Sequence, residues 1–393
     1  MVTGNQVRGW AERKFPKMQE YRRHFHENPE LSFQEKETSA YIRAVLEQRG
    51  ILFEAGVGGP WGIVARIKGD QPGPCIAFRA DMDALGIREE TNLSFSSARE
   101  GVMHACGHDF HMAALLGLAE TLQEKREFVK GTVVFIFQFA EEIPPGGAVS
   151  MIEAGCLDGV DRIYGAHVDP QLPAGEVGVL EGAYMAASDS FFVDIRGGGG
   201  HGSCPYEAQD TMTTAATAIL NINQIVSRLI DPLESAVIST CQIHGGVSYN
   251  VIPAVISLGG TIRTYKRETA DFIRDEIEQA VKAACSMYGT EYSYRFERGY
   301  PCLCNRERET AVVKKAAERT GHCRCREIRP TMVGEDFARY LEKVPGAFFR
   351  VGVQNEKLGA AYPLHHSHFQ ADETGLIAAL EMFLQIYLAE TEQ

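Results

Sequence analysis

The organisation of this chain follows from one short stretch, Met103-His104-Ala105-Cys106-Gly107-His108-Asp109-Phe110-His111. In one interpretation, Cys106 is a small buried hydrophobe and the histidines are ordinary polar residues at the start of a helix. In the other, Cys106 and His108 are metal ligands, because thiolate and imidazole both suit zinc-like ions. Residues two apart in a turn can reach the same ion. The choice depends on whether matching ligands occur elsewhere in the chain.

Three other segments carry matching side chains, and we expect each of them to lie where a buried strand meets a loop. The run Phe135-Ile136-Phe137-Gln138-Phe139-Ala140 leads into Glu141 and Glu142, and the run Ile163-Tyr164-Gly165-Ala166 leads into His167. A late segment, Leu364-His365-His366-Ser367-His368, supplies a cluster of histidines. Open α/β sheets place their functional sites where buried strands meet loops. The coincidence of these segments therefore favours the metal interpretation.

Length and composition indicate a globular protein of two domains. At 393 residues the chain is longer than one ordinary hydrophobic core allows. Hydrophobic residues make up 45% of the chain and charged residues 23%, which is typical of soluble globular proteins. No apolar run approaches the length of a membrane span, and residues 1–6 lack the features of a signal peptide. We therefore expect a cytoplasmic protein.

The charge balance and the cysteines exclude two further classes. A formal net charge of −13 opposes a nucleic-acid surface, which needs clustered Lys and Arg, so we expect no nucleic acid as a partner. The lack of a long apolar run likewise leads us to expect no membrane partner. The ten cysteines are scattered, and we interpret them as reduced thiols. A second metal site at Cys302/Cys304 and His322/Cys323/Cys325 is an alternative, but Cys-x-Cys is not the usual spacing of structural zinc sites.

The first part of the chain alternates between helical and strand-like patterns. An amphipathic helix is predicted over residues 6–26, interrupted by Pro16. The segment Ser32-Phe33-Gln34-Glu35 resembles a capping box that begins a second helix, ending near residue 48. Strands are predicted over residues 61–68, 75–80, 132–138 and 162–166. Two further helices are predicted over residues 109–125 and 147–154. This alternation predicts an α/β fold with a largely parallel, helix-covered sheet.

The pattern then changes to an inserted unit. Strands are predicted over 189–196, 236–244, 255–264 and 291–297, and helices over 208–228 and 268–287. This order, β-α-β-β-α-β, is the ferredoxin-like split-βαβ signature. Helices near 309–320, 337–341 and 374–388 follow, together with the late histidine cluster. We therefore predict a discontinuous catalytic domain of residues 1–186 and 299–393, with an inserted domain of residues 187–298.

A series of motifs runs through most of the chain. In order, they are Arg79-Ala80-Asp81-Met82-Asp83-Ala84-Leu85, His104-Ala105-Cys106-Gly107-His108-Asp109, Gln138-Phe139-Ala140-Glu141-Glu142, Gly165-Ala166-His167, Gly200-His201-Gly202, Asn250-Val251-Ile252-Pro253, Gly260-Thr261-Ile262-Arg263, Gly334-Glu335-Asp336-Phe337 and Leu364-His365-His366. The series resembles that of the M20 peptidase family, closest to its aminoacylase, hippurate hydrolase and auxin-conjugate hydrolase branch. The resemblance implies a catalytic domain with two metal ions and a lid domain that also dimerises.

The resemblance also implies roles for individual residues. It makes Glu141 the general base, His201 a lid histidine that reaches an active site, often that of the partner subunit, and Asn250 and Arg263 the groups that hold the substrate carboxylate. Taken without it, His201 is a loop residue and Arg263 an exposed charge. Asp83 is expected to support the site rather than to bind metal. The implied metal ligands are Cys106, His108, Glu142, His167 and His365.

The chain departs from the family pattern around the substrate. Ser367 stands where the family often has Pro, and Gln370 where it often has Asp. In the lid loop, Tyr206 replaces a common histidine. None of these positions is an implied metal ligand. The departures therefore put the acyl and side-chain preference in doubt, and leave the chemistry as expected.

The resemblance implies an enzyme that hydrolyses N-acyl amino acids with a metal-activated water. The expected cofactors are two divalent ions per subunit, Zn or Mn, with Co or Ni as alternatives. The expected partners are the small-molecule substrate and a second copy of the chain, in a homodimer or a higher homo-oligomer. The alternatives are a dipeptidase or aminobenzoyl-glutamate-type hydrolase and, in another class, an inactive metal-binding homologue. Retention of Glu141 and of all five ligands argues against the inactive homologue.

Overall fold

Residue contacts divide the chain into two units in the computed structural model, which describes residues 2–392. The larger unit runs up to Gly182, takes in Cys304–Arg329 and resumes at Asp336. The smaller unit comprises Ala183–Leu303 and Pro330–Glu335. The insert predicted from sequence, residues 187–298, falls inside this smaller unit. Its expected roles as a lid and in dimerisation stay predictions.

Helices lie in both units. In the larger unit they are α1 Gly4–Glu27, α2 Lys36–Gln48, α3 His108–Glu124, α4 Gly147–Glu153, α7 Glu307–Thr320, α8 Ala338–Leu341 and α9 Gly375–Thr391. In the smaller unit they are α5 Thr211–Leu229 and α6 Arg267–Tyr288. Short 3₁₀ turns occur at Arg126–Phe128, Pro205–Glu207 and Glu356–Leu358. Within residues 2–392, no helix has the length and apolarity needed to cross a membrane.

The larger unit is built on a sheet whose strands are β1 Leu52–Ala55, β2 Ile63–Lys68, β3 Gln71–Asp81, β4 Lys130–Gln138, β5 Arg162–Pro173, β6 Glu176–Val179, β15 Arg324–Glu327 and β16 Gly346–Gln354. Their order is β1-β2-β4-β3-β5-β16-β6-β15. The central run β4-β3-β5-β16 is parallel throughout. The predicted α/β class with a mostly parallel sheet is therefore confirmed.

Burial explains why these segments form central strands. Most residues of β4 and nearly all residues of β16 are buried, including Phe135, Phe137 and Phe349. A strand with both faces buried requires helices on both sides, and its sequence is a continuous apolar run. α3 and α9 are themselves buried along almost their whole length. They pack against each other and against α1.

Two local predictions at the N-terminus are wrong. α1 continues through Pro16 without interruption, because its apolar face, with Met18, Tyr21 and Phe25, is buried against α3 and α9. That burial outweighs the hydrogen bond lost at proline. The capping box is also absent: α2 begins after Glu35, whose side chain makes no capping hydrogen bond.

The smaller unit contains a four-stranded antiparallel sheet with two helices. Its strands are β8 Ala187–Arg196, β10 Ala236–His244, β12 Val255–Thr264 and β13 Glu291–Tyr300, in the order β10-β12-β8-β13. α5 and α6 pack together, and a core that includes Ile195, Ile222 and Ile277 joins them to the sheet. β9 Gly200–His201 pairs with β11 Val251–Ile252. The remaining short strands of the chain are β7 Gly182–Met185 and β14 Leu303–Asn305.

Candidate metal centre

Three neighbouring strands bring polar side chains to one edge of the large sheet. β4, β3 and β5 are adjacent and parallel, so their carboxyl ends meet at the same edge. β3 ends at Asp81, and Glu141 and Glu142 follow the end of β4. His167 lies within β5, which continues to Pro173 and is longer than predicted. Cys106, just before α3, reaches this edge with its sulfur 3.3 Å from His167 Nε2.

The five side chains predicted as metal ligands form one continuous cluster in the larger unit. Cys106 Sγ lies 3.4 Å from His365 Nε2, in addition to its contact with His167. Glu142 Oε1 lies 3.3 Å from His365 Nε2 and 3.8 Å from His108 Nε2. Cys106, His108 and His167 are buried, whereas the His365 side chain is half-exposed. The cluster thus has a closed inner side and an open side at His365.

Backbone conformation explains how neighbouring residues can face one centre. Gly107, between Cys106 and His108, has φ +86°, and a Cβ there would lie 2.4 Å from Val168 Cγ2. Glycine is required on both grounds. His365 has φ +63°, a strained value for a residue with a side chain, and its N–H donates to the carbonyl oxygen of Ala105 at 2.8 Å. Such strain persists only where the surroundings enforce it, and it is concentrated at functional sites.

Hydrogen bonds orient the imidazoles toward the cluster. His108 Nδ1 lies 3.2 Å from Asp83 Oδ1, which leaves Nε2 facing Glu142. His167 Nδ1 donates to the carbonyl oxygen of Val168 at 2.8 Å, so its Nε2 is free of a proton and faces Cys106. Partners of this kind fix the tautomer and the ring direction of metal-binding histidines. The contact of Asp83 agrees with its expected supporting role.

Further buried polar side chains lie behind the cluster. No role was predicted for them from the sequence. His111 Nδ1 donates to Asp81 Oδ1 at 2.6 Å, and its Nε2 accepts the N–H of Val168 at 2.9 Å. Arg79 pairs with Asp81 at 2.6 Å and with Asp336 at 2.7 Å. Burial would raise the pKa of Asp81, but His108, His111 and Arg79 hold it well below its usual value. The one indication in the sequence was the spacing of His111, which follows His108 by one helical turn and therefore lies on the same face of the helix.

Two observations test whether the cluster suits a metal. Within residues 2–392, His108 Nε2 and Glu142 Oε1 are buried without a hydrogen-bond partner, which is costly in a folded protein. Burial, followed by the charges of Glu142 and Glu141, raises the pKa of the Cys106 thiol far above its usual value. A divalent ion offsets both effects, because it partners the free atoms and stabilises the thiolate. Sulfur, imidazole nitrogen and carboxylate oxygen together suit zinc-like ions.

Glu141 lies at the side of this cluster. Its carboxylate is buried, and one of its oxygens lies within 4.8 Å of the ligand atoms of His108 and Glu142. A carboxylate at that distance can exchange a proton with a molecule held at the cluster. The cysteine pairs Cys302/Cys304 and Cys323/Cys325 belong to none of the metal-capable groups found among residues 2–392.

The three remaining predicted site residues lie on the smaller unit, at two separate places. His201 pairs in register with Val251, next to Asn250, and His201 Nδ1 accepts hydrogen bonds from Ser203. Arg263 is near the far end of β12, half-buried, with its guanidinium bonded to the carbonyl oxygen of Ile262 at 3.0 Å. At the rise per residue of an extended strand, Arg263 lies roughly 27 Å along β12 from the start of this strand. The fold of this unit therefore does not bring Asn250 and Arg263 together.

Comparisons with known proteins extend over nearly the whole chain. The model of peptidase family M20/M25/M40 matches residues 77–389. The putative amidohydrolase YhaA of Bacillus subtilis is 42% identical, covering 94% of this chain and 93% of that protein. The N-acetylcysteine deacetylase of the same organism is 40% identical, covering 93% and 94%. The crystal structure of B. subtilis YXEP, described as a dinuclear metal-binding peptidase of the M20 family, superposes with a TM-score of 0.85 at 36% identity, covering 97% and 99%.

Proposed function

This chain belongs to peptidase family M20/M25/M40 and is a metal-dependent hydrolase, and we propose that it hydrolyses the amide bond of N-acyl amino acids. The products are a carboxylic acid and a free amino acid. The observation that carries the proposal is the position of Glu141, a buried carboxylate beside the cluster of five donor side chains. The name of the similar B. subtilis protein, N-acetylcysteine deacetylase, supports an N-acyl amino acid as the substrate.

The proposed cofactor is a pair of divalent ions, Zn or Mn, with Co or Ni as alternatives. Their ligands are Cys106, His108, Glu142, His167 and His365. The description of YXEP as dinuclear supports the number of ions. Such ions, when bound, polarise an amide carbonyl and lower the pKa of a water molecule toward neutrality.

Glu141 is the proposed general base. It accepts a proton from the attacking water and then delivers this proton to the nitrogen of the departing amine. Asp83 fixes the ring direction of His108 from behind, so the donor atoms do not reorganise when the substrate binds. Because Glu141 is buried, bulk water does not take up the proton that its carboxylate carries.

The smaller unit is proposed to complete the site. His201 donates to the carbonyl oxygen of the scissile amide, where negative charge develops in the transition state. Arg263 binds the free α-carboxylate through its planar fork, and Asn250 adds a polar contact to the bound substrate. Because Asn250 and Arg263 lie at different ends of one smaller unit, they cannot both reach one small substrate from the same subunit. We therefore assign His201 and Asn250 to the site of the partner subunit.

Exposed apolar residues on the smaller unit support the proposed homodimer. β10 is an edge strand of the small sheet, with unpaired backbone groups and with Val237 and Ile243 exposed. In the loop that precedes β11, Val247 and Tyr249 are fully exposed, next to Asn250. An open edge strand and exposed apolar side chains are both features of association surfaces. A second copy of the chain is the partner that the trans arrangement of His201 requires.

A substrate panel tests the proposed function. The protein is loaded in turn with Zn, Mn, Co and Ni, and amine release is measured from N-acetyl and N-benzoyl amino acids. Dipeptides and p-aminobenzoyl-glutamate are included in the same panel. We expect the highest kcat/KM with N-acyl amino acids. A preference for dipeptides or for aminobenzoyl-glutamate would show that the proposed substrate class is wrong. A lack of turnover with every metal would contradict the proposed activity.

A further inference from the structure

The turn at Ser32–Glu35, which sequence analysis interpreted as a capping box, directs its polar side chains away from α2. Ser32 Oγ donates to Asp83 Oδ2 at 2.7 Å. Glu35 Oε1 accepts the backbone N–H of Ala140 at 2.7 Å. Glu35 occupies the N-cap of α2, a position at which a short polar side chain ordinarily binds the first N–H groups of its own helix. Its carboxyl is instead fully buried against the end of β4.

The residue that Glu35 holds has a strained backbone. Ala140 has φ +51°, a value that costs energy for any residue with a Cβ. Its N–H is bound by Glu35, and its carbonyl oxygen accepts the N–H of Gly147, the first residue of α4, at 2.9 Å. Both polar groups of Ala140 are therefore held by hydrogen bonds, the N–H by the distant Glu35 and the carbonyl oxygen by the nearby Gly147. Strain of this kind persists only where the surroundings enforce it.

The same arrangement fixes the residues on both sides of Glu141. Ala140 precedes Glu141 and is bound by Glu35, while the N–H of Glu142, which follows it, donates to Asp83 Oδ2 at 2.9 Å. The direction of the Glu141 side chain depends on these two anchored peptide groups. A general base needs such control, because an error of about 1 Å in its placement can reduce turnover roughly 100-fold.

We propose that Glu35 is a positioning residue of the active site, which holds Ala140 in its strained conformation and thereby aims Glu141 at the attacking water. The inference rests on the proposed function, in which Glu141 is the general base. Among the residues that the structure describes, Glu35 belongs to none of the groups that could hold a metal ion. Its carboxyl acts through one hydrogen bond to the backbone of the base-bearing segment.

Three variants test this role. Glu35→Leu fills the volume but removes the acceptor, and Glu35→Gln retains an acceptor oxygen. Burial, with the nearby charge of Asp83, raises the pKa of Glu35 to about 8, so the neutral amide of Gln is a close replacement. Glu37→Ala is the matched control, because Glu37 is exposed in the first turn of the same helix. Metal content, kcat and KM are measured for each, together with the hydrogen-exchange rate of the Ala140 amide by NMR.

We expect Glu35→Leu to lower kcat about 100-fold while KM and metal content stay at wild-type values. The Ala140 amide should exchange faster in this variant. Glu35→Gln should restore most of kcat and the slow exchange, and Glu37→Ala should match the wild type. A general loss of stability in Glu35→Leu would lower metal content and the folded fraction without this selective loss of kcat. Glu35→Ala repeats the test if Glu35→Leu does not fold.

Two results overturn the inference. One is a wild-type kcat in the metal-loaded, folded Glu35→Leu protein. The other is an Ala140 amide that exchanges equally fast in the wild type and in Glu35→Leu, because Glu35 then does not hold this peptide group. The exchange measurement requires no substrate. It therefore shows whether Glu35 holds the Ala140 peptide group even if the wild type hydrolyses no N-acyl amino acid and the proposed function fails.

Discussion

At the scale of single residues, two adjacent carboxylates have different surroundings. Glu142 reaches the ligand cluster, with one oxygen 3.3 Å from His365 Nε2 and 3.8 Å from His108 Nε2. Glu141 points to the side of the same cluster and is buried. Identical chemical groups can serve as metal ligand and as proton carrier when their environments differ in this way. The difference leads to separable effects of substitution.

Glu141→Gln should keep the metal ions and lose turnover by about 10²–10⁴-fold, the usual contribution of a general base. Glu142→Gln should instead reduce metal content, since a neutral amide is a poor replacement for a carboxylate ligand. Elemental analysis and kcat, measured on the same preparations, separate the two outcomes. Equal metal content and equal residual rates in the two variants would contradict the assigned roles.

At the scale of elements, the carboxyl edge of the parallel strands and the start of α3 hold most of the site. This part could be predicted, because Glu142 and His167 follow apolar runs and Cys106 and His108 flank a glycine, and such patterns are local in sequence. β16 was missed, although Gly346–Gln354 is rich in apolar residues and lies inside the sheet, between β5 and β6. A short buried strand shows no alternation, so its neighbours in the sheet depend on long-range pairing.

The turn before α2 shows a different limit of sequence reasoning. Ser32 and Glu35 have the spacing of a capping box, yet their partners are Asp83 and Ala140. Local propensity predicts the residue types at a helix start, but the buried partners lie far away in sequence. The same holds for Asp81, His111 and Arg79, whose roles depend on contacts that only the folded sheet provides.

Gly107→Ala should disrupt the start of α3. The substitution places a Cβ 2.4 Å from Val168 and forces a side chain into φ +86°, a conformation that alone costs about 1–3 kcal/mol. We expect a lower melting temperature and weaker metal binding, measured by thermal unfolding and metal titration.

Two other glycines separate the causes of that effect. Gly159→Ala introduces a positive-φ alanine, at +75°, into open space, and Gly86→Ala introduces a methyl group into open space at an ordinary φ. Gly86→Ala should leave melting and metal binding unchanged, and Gly159→Ala should lower only the melting temperature. Wild-type metal binding in Gly107→Ala would show that the glycine is not needed for the ligand geometry.

At the scale of the whole molecule, the insert divides the larger unit in sequence, and the residues expected to contact substrate are distributed between the units. Sequence motifs identified His201, Asn250 and Arg263 as a group. They could not predict the distance between Arg263 and the start of β12, which is roughly 27 Å along the strand. That separation is the physical reason for assigning His201 and Asn250 to a partner's site. Under this proposal the active enzyme is an oligomer.

Mixing two inactive variants tests the sharing of sites. Glu141→Gln and His201→Ala proteins are combined under conditions in which subunits exchange. If His201 serves the partner, each mixed dimer contains one intact site, and random pairing should restore about a quarter of wild-type activity. Subunit exchange is verified by mass spectrometry of differently labelled chains. Verified exchange without recovered activity would mean that His201 acts within its own chain or has no role.

The most direct test of the central claim is a titration of activity against bound metal. The chelated protein, verified as metal-free by elemental analysis, is reconstituted stepwise with Zn or Mn while the release of amino acid from an N-acyl substrate is followed. We expect no activity at the start and a rise that saturates at two ions per chain, in line with the description of YXEP as dinuclear. Full activity in the metal-free protein would contradict this expectation.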